Sequence, residues 1–260
     1  MNVLIVFAHP EPKSLNGSIN KFIVEYLETS GHQVKVSDLY AMNWKASIDS
    51  NDNVAAYQNK VFQPTHDSLE AFKNHTQSED IVAEQEKIIW ADIVIFQFPL
   101  WWFSMPAILK GWVDRVYAAG FAYAVGEHSE NHWGNRYGEG TLAGKRAMLV
   151  VTMGGWESHF SARGVNGPID DILFPIQHGI LFYPGFDVLP PYLIHKTNSI
   201  DEERFSQIQA ELATRLDQLA SQPPIAFRKQ NAGQYDIPAL TLKAEIAPGK
   251  TGFSAHLEDE

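Results

Sequence analysis

Two short runs of apolar, mostly β-branched residues, at 3–7 and 93–96, have no polar face and therefore predict strands covered on both sides. After the first run, Ile19, Phe22, Ile23, Tyr26 and Leu27 recur at i, i+3, i+4, i+7 and i+8, the stripe of an amphipathic helix that Gly31 closes. Residues 33–39 set Val34 and Val36 against Lys35 and Ser37, which predicts a second strand and makes the opening a βαβ unit with parallel strands. Ser78, Glu79 and Asp80 open a helix whose buried stripe is read as Ile81, Val82, Ile88 and Ile89. Pro99 ends the strand that follows it. Ser104 is placed as the cap of a helix with Pro106 in its first turn, Ile108, Trp112 and Val116 on its inner face and Gly120 as its stop.

Residues 147–152 predict another buried strand, 169–179 a helix strained by Pro175, and 186–194 an edge strand despite Pro190 and Pro191. Ser199 with Glu202 reads as a capping box for a helix lined by Phe205, Ile208, Leu212, Leu216 and Leu219. Residues 40–77 carry no clear period. The last forty residues have none either, yet Phe227, Tyr235, Ile237, Leu240, Leu242 and Phe253 are too many apolar groups for a free linker, so the tail is expected to pack on another surface. Strands alternating with helices give an α/β doubly wound parallel sheet of order 2-1-3-4-5, with residues 1–220 as the main domain and 221–260 as an irregular C-terminal tail.

In that order the switch point lies between the first strand and the strand starting at Ile93, and loops 8–18, 99–105 and 152–160 line the crevice where open α/β sheets bind ligands. The first loop leads to a helix N-terminus, whose free amides and dipole favour a phosphate, and Ser14, Asn16 and Ser18 add donors, although a plain capping role explains Ser14 equally well. His9 either satisfies a turn or pairs with that phosphate. Trp101, Trp102 and Phe103 are rings that ordinarily plug a core, but beside an anion-ready loop they suit a flat conjugated ligand. Thr152, Gly154 and Gly155 form the third wall, where glycine permits close backbone approach. A phosphate-bearing flat heterocycle fits all three, which describes a flavin.

Composition narrows the alternatives. A net charge of -11 disfavours nucleic acid and anionic membranes as partners, and no stretch approaches the length of a membrane span. The chain enters its first strand almost at once and has no cysteine, so a cytoplasmic location is expected and disulfides and thiol catalysis are excluded. No G-x-G-x-x-G follows the first strand and no G-x-S-x-G occurs, which removes the dinucleotide fingerprint and weakens a hydrolase reading. Gly249-Lys250-Thr251 resembles the end of a P-loop but stands in the tail with Ala244 in place of the earlier glycine. His128, Glu130 and His132 are not in H-E-x-x-H order and read as a solvated loop, so no metal is expected.

The run DIVAEQEKIIWADIVIFQFPLWWFSMPAILKGWVDRVYAAGFAY, with AHPEPKSLNGSINK before it and PIQHGIL after it, resembles the NAD(P)H:quinone oxidoreductases of the DT-diaphorase type. The resemblance spans nearly the whole chain. It implies a flavodoxin-like fold, bound FAD with FMN as the lesser alternative, NADH or NADPH as hydride donor, small quinones as acceptors in a two-electron ping-pong cycle, and a homodimer with sites at its interface. It places flavin contacts on His9, Leu15, Asn16, Gln63, Leu100, Trp102, Phe103, Thr152, Gly154, Gly155 and Arg204, and substrate contacts on Phe103, Tyr123 and Tyr235. Ser14, Pro99, Trp101, Met153 and Phe160 complete the candidate cofactor shell, and Asn166, Phe160 and Gly155 are the candidate catalytic positions. Here the chain departs from the family. Phe160 and Asn166 stand where the animal enzymes carry a tyrosine and a histidine, and Val125, Trp101 and Met153 replace a tyrosine, a glutamine and a threonine. Neither Phe160 nor Asn166 shuttles a proton, although Asn166 can donate a hydrogen bond. That loss motivates one alternative, a non-catalytic flavin-binding regulatory subunit; an azo- or nitro-reductase is a further alternative that the same site supports.

Overall fold

The computed structural model describes residues 1–55 and 61–258. The first strand, β1 (Asn2–Phe7), is apolar on both faces because both are covered. Leu4 and Val6 pack with β3 (Ile93–Pro99), α3 (Glu79–Trp90) and α4 (Ala107–Val116). Val3 and Ile5 pack instead with α1 (Leu15–Thr29) and α6 (Glu202–Asp217). With β2 (Gln33–Asp38) and β4 (Arg146–Thr152) these strands form a parallel sheet of order β2-β1-β3-β4-β5, as the alternation of elements predicts. The proline pair divides the last position into β5 (Asp187–Val188) and β6 (Tyr192–Ile194), both pairing with β4, since proline has no N–H to give a ladder.

Several local expectations are corrected. In β2, Ser37 is fully buried and Val36 exposed, the reverse of the predicted faces, because an edge strand takes its inward residue from the register with β1 and Lys87 Nζ reaches Ser37 Oγ at 3.1 Å. In α3 the buried stripe is Ile81, Glu84, Gln85 and Ile88, leaving Val82 and Ile89 outside, as a 3.6-residue period requires once Ile81 faces inward. Glu84 is buried with its carboxylate accepting from Trp112 Nε1 at 2.8 Å and Lys87 Nζ at 2.5 Å. Pro106 occupies the cap position of α4, so Ser104 caps nothing, and the helix ends at Val116, four residues before Gly120. Asp201, not Ser199, caps α6, its side chain accepting from the Arg204 amide.

Residues 40–77 are less irregular than expected, for α2 (Pro64–Asn74) lies within them, although residues 56–60 fall outside the described chain. The buried Arg115 guanidinium holds this excursion down, bonding Asp80 Oδ2 at 2.6 Å, Asp52 Oδ1 at 2.9 Å and the Lys45 carbonyl at 3.1 Å. The helix read at 169–179 is α5 (Ile169–Ile176) running into a π-helical turn, Gln177–Phe182, beyond the internal Pro175. The tail folds back on its own chain: Phe227 is buried against Phe174 and Phe182, and β7 (Tyr235–Asp236) and β8 (Thr241–Leu242) form a short antiparallel pair. No helix among the described residues is long and apolar enough to cross a membrane.

Candidate active site

The loop after β1 turns sharply into α1. Ser14 caps the helix, its Oγ accepting from the Gly17 amide at 3.1 Å and contacting His9 Nδ1 at 2.9 Å. Gly17 is required there, because a Cβ would lie 2.0 Å from the Pro12 carbonyl oxygen. His9 thus does satisfy a turn, and its ring also lies 6.1 Å from that of Trp101.

Buried Asn16 joins this loop to the others. Its amide and the Thr152 hydroxyl pair at 3.0 and 3.1 Å, and its carbonyl accepts from Gln97 Nε2 at 2.8 Å. Gln97, fully buried in β3, also accepts from Asn20 Nδ2 at 2.9 Å. Sequence reasoning missed Gln97; the signal was a lone amide inside an apolar run. The Leu100 amide donates to the Thr152 carbonyl at 2.8 Å, which fixes the second loop against the third, and Pro99 closes the strand beneath it.

Trp101 and Ser104 exchange two backbone hydrogen bonds, at 3.0 and 3.1 Å, closing a tight loop. Between them Trp102 and Phe103 take φ of 50° and 61°, a left-handed conformation that bulky residues seldom adopt and that typically marks a functional constraint. The ordinary fate of such rings, burial, is not theirs: Trp102 is 95% exposed, Phe103 51% and Trp101 42%. In the third loop Met153 is buried and a Cβ on Gly155 would meet Phe160 Cε2 at 2.7 Å, so glycine lets this backbone lie against the buried Phe160 ring. Asn166 is half-buried nearby, its amide donating to the His159 carbonyl at 3.0 Å.

The residues present fit a flavin on one further observation. The amides of Leu15 and Asn16, of Trp102 and Phe103, and of Gly154 and Gly155 donate to no protein acceptor among the described residues, so each loop offers two adjacent N–H groups at the carboxyl edge of the sheet. Beside the third loop opens a cleft of about 620 Å3 lined by Trp156, His195, Lys196 and Arg204, with Lys196 Nζ 3.7 Å above the Trp156 ring. Arg204 is held by Glu211 Oε1 at 2.9 Å. A second cleft of about 360 Å3 is bordered by Leu15, Ser18 and Asn198. His195 was also missed: its Nδ1 is buried without a hydrogen-bond partner among the described residues, burial draws its pKa below the usual value, and its ring lies 5.8 Å from Phe160.

Three predicted positions stand apart. Gln63 is exposed at the start of α2, and its neighbours Phe62 and Pro64 line a different pocket together with Tyr123. Tyr235 is buried in the tail, its hydroxyl 2.9 Å from His256 Nδ1. Of the metal candidates, His132 Nε2 pairs with Asn135 Oδ1 at 2.8 Å and His128 packs edge-on to Trp133, and among the described residues no cluster of three or more metal-ligating side chains occurs.

The sequence profile of the flavodoxin-like fold matches residues 1–218. With that fold and this site, the chain belongs to the flavodoxin-like NAD(P)H:quinone oxidoreductase family, a family of enzymes. It is 52% identical over 264 residues to a ribosyldihydronicotinamide dehydrogenase-like protein of Penicillium crustosum, covering 100% of this chain and 97% of the relative. The human ribosyldihydronicotinamide dehydrogenase [quinone] is 42% identical over 224 residues, 86% of this chain and 94% of that protein. A candidate quinone reductase of Klebsiella pneumoniae has a solved structure that superposes with a TM-score of 0.97 at 62% identity, covering 99% of this chain and all of the other.

Proposed function

We propose that the protein is an FAD-dependent oxidoreductase passing two electrons, as hydride, from NADH or NADPH to quinones in a ping-pong cycle, and that it works as a cytoplasmic homodimer. The observation that carries this reading is the convergence of three pairs of unpaired N–H groups beside the exposed Trp102 and Phe103. FAD, when bound, supplies the reversible two-electron chemistry. The chain supplies position and environment. Leu15 and Asn16, at the positive end of α1, suit a phosphate, and Ser14 and His9 brace that turn. The Trp102, Phe103, Gly154 and Gly155 amides suit the polar edges of a flat ring, and aromatic walls on an otherwise open edge exclude water once a second ring stacks there.

Arg204 and Lys196, in a cleft beyond the ring site, favour FAD over FMN, because only the dinucleotide carries an adenylate to occupy it. Phe160 supports Gly155 without a titrating group, and the Asn166 side-chain amide is the group to which we assign the hydrogen bond to developing negative charge. Gln63, Tyr123 and Tyr235 are too scattered in one chain to act on this edge, which supports a site completed across a subunit boundary.

The test is to identify the flavin released on denaturation and to compare steady-state rates with a quinone panel. NADH, NADPH and, because relatives are named for it, a ribosyl dihydronicotinamide serve as donors. Yellow protein that releases FAD and turns over menadione is expected. A colourless preparation that neither FAD nor FMN reconstitutes sinks the reading, and bound flavin with negligible turnover across the panel favours a regulatory subunit instead.

A further inference from the structure

We infer, building on the flavin reading, that His195 is a positioning residue for the third loop: its neutral imidazole holds the Gly154–Gly155 peptide at the ring site, and protonation loosens that hold. The segment that carries His195 is a brace for this loop. Beyond β6 the backbone stays against the residues that follow β4. The Met153 amide donates to the Ile194 carbonyl at 2.8 Å, the Lys196 amide to the Gly155 carbonyl at 3.1 Å and the Thr197 amide to the Met153 carbonyl at 3.2 Å. His195 sits between the first two bonds, and Lys196 turns with a φ of 56° between the second and the third. A Cβ on Gly154 would stand 3.2 Å from Asn198 Nδ2, so the same segment abuts the other glycine as well.

Within this brace the imidazole is set for a charge-dependent role. Its ring lies 5.8 Å from that of Phe160, the ring that also underlies Gly155, and its Nδ1 is buried with no hydrogen-bond partner among the described residues. The Gly155 backbone favours the protonated imidazole, which a carbonyl acceptor does and an amide does not, so Nε2 is the nitrogen that faces the Gly155 carbonyl. The neutral tautomer with its proton on Nε2 suits both surroundings. It donates to Gly155 and leaves a bare Nδ1 where no donor stands. A second proton, on Nδ1, meets no acceptor there. Burial accordingly draws the pKa below the usual value, against Gly155 and Glu157, which raise it. The other titratable or charged groups on this side are His159 stacked on Trp156, Lys196 over the same ring, and Arg204 paired with Glu211. An imidazolium finds water for Nδ1 only by turning into the cleft of about 620 Å3 that it lines, away from the Gly155 carbonyl.

The experiment follows the Gly155 amide resonance of the full-length protein, as purified and carrying isotopically labelled glycine, from about pH 8 to about pH 5, the span in which histidines titrate. The resonance is assigned by its loss in Gly155→Ala. It is expected to shift with an inflection below the ordinary histidine value of about 6.5, and flavin release on dialysis is expected to quicken through the same inflection. His195→Gln keeps a donor for Gly155 but does not titrate, so both inflections disappear while flavin is retained at about pH 8. His195→Phe keeps the ring without a donor, and releases flavin about tenfold faster across the range, the worth of one hydrogen bond. His159→Gln leaves the inflection in place. Circular dichroism establishes that each variant is folded. A Gly155 resonance that does not titrate overturns the inference, as does an inflection that persists in His195→Gln or vanishes in His159→Gln. So does flavin release from His195→Phe as slow as from the unaltered protein. A colourless protein in which Gly155 still titrates through His195 keeps the positioning role and fails the flavin reading alone, whereas a yellow protein with a silent Gly155 does the reverse.

Discussion

Asn16 does more than line a loop. Its side chain and the Thr152 hydroxyl satisfy each other in a buried setting, and its carbonyl satisfies Gln97. Asn16→Leu strands the Thr152 hydroxyl and is expected to lower unfolding free energy by about 1–3 kcal/mol in urea titration, with faster loss of flavin on dialysis. Gly155 is constrained from the other side. Gly155→Ala forces a Cβ into Phe160 and is expected to destabilise by about 1–3 kcal/mol and to weaken flavin retention, whereas Gly144→Ala, where no atom stands within 4 Å, leaves flavin content unchanged despite its left-handed backbone. Phe160 and Asn166 lead to a third expectation. Restoring the pair as Phe160→Tyr with Asn166→His introduces an imidazole titrating near 6.5, so kcat for menadione gains a pH dependence about that value that the unaltered protein lacks.

Among elements, the Arg115 latch is the most exposed to test. It ties α4 to the start of α3 and to the excursion before α2. Arg115→Met leaves Asp52 and Asp80 without their cation and is expected to cost about 2–3 kcal/mol, less than a fully buried pair because Asp80 is partly exposed. Burial pushes Asp80 up, but hydrogen bonds from Arg115 and Ser78 outweigh it and hold the carboxyl below its ordinary value. Its stabilisation is therefore complete above the unfolded pKa near 4 and lost as pH falls through the lower folded value. Acid melts of the Arg115→Met protein should show a shallower decline below about pH 4. The aromatic loop differs: two backbone bonds hold Trp102 and Phe103 in left-handed conformations with their rings in solvent, a strain that packing does not explain.

At the scale of the whole molecule, the sheet separates two cores, and the tail closes one of them through Phe227. His178, inside that closure, has its pKa pulled down to about 4 by burial and by His256. The unfolded chain takes up this proton near 6.5 and the folded chain resists it, so stability falls as pH drops from about 6.5 towards 4. His178→Phe, which keeps a ring stacked between Tyr137 and Phe174, is expected to flatten that slope of melting temperature against pH. Sedimentation of the purified protein should give a dimer of 29.2 kDa chains if Gln63, Tyr123 and Tyr235 serve a shared site.

The sequence by itself determined the order of the elements that build the main sheet and its flanking helices, but not α2 or the β7–β8 pair, because apolar runs in parallel strands and 3.6-residue stripes in helices are written directly in the chain only where one face is buried. It also located the three loops, since strand order alone brings β-strand carboxyl ends together. What it did not carry were effects set by neighbours distant in the chain. Ser37 is buried and Val36 exposed because β1 sets the register. Gln97 matters because Asn16 and Asn20 reach it, and His195 because Phe160 packs against it. Caps moved from Ser104 to Pro106 and from Ser199 to Asp201, since cap geometry depends on where the backbone enters each helix. The exposure of Trp102 and the packing of the tail's aromatic residues were decided only in three dimensions, where chain segments far apart in sequence either cover a ring or leave it in solvent.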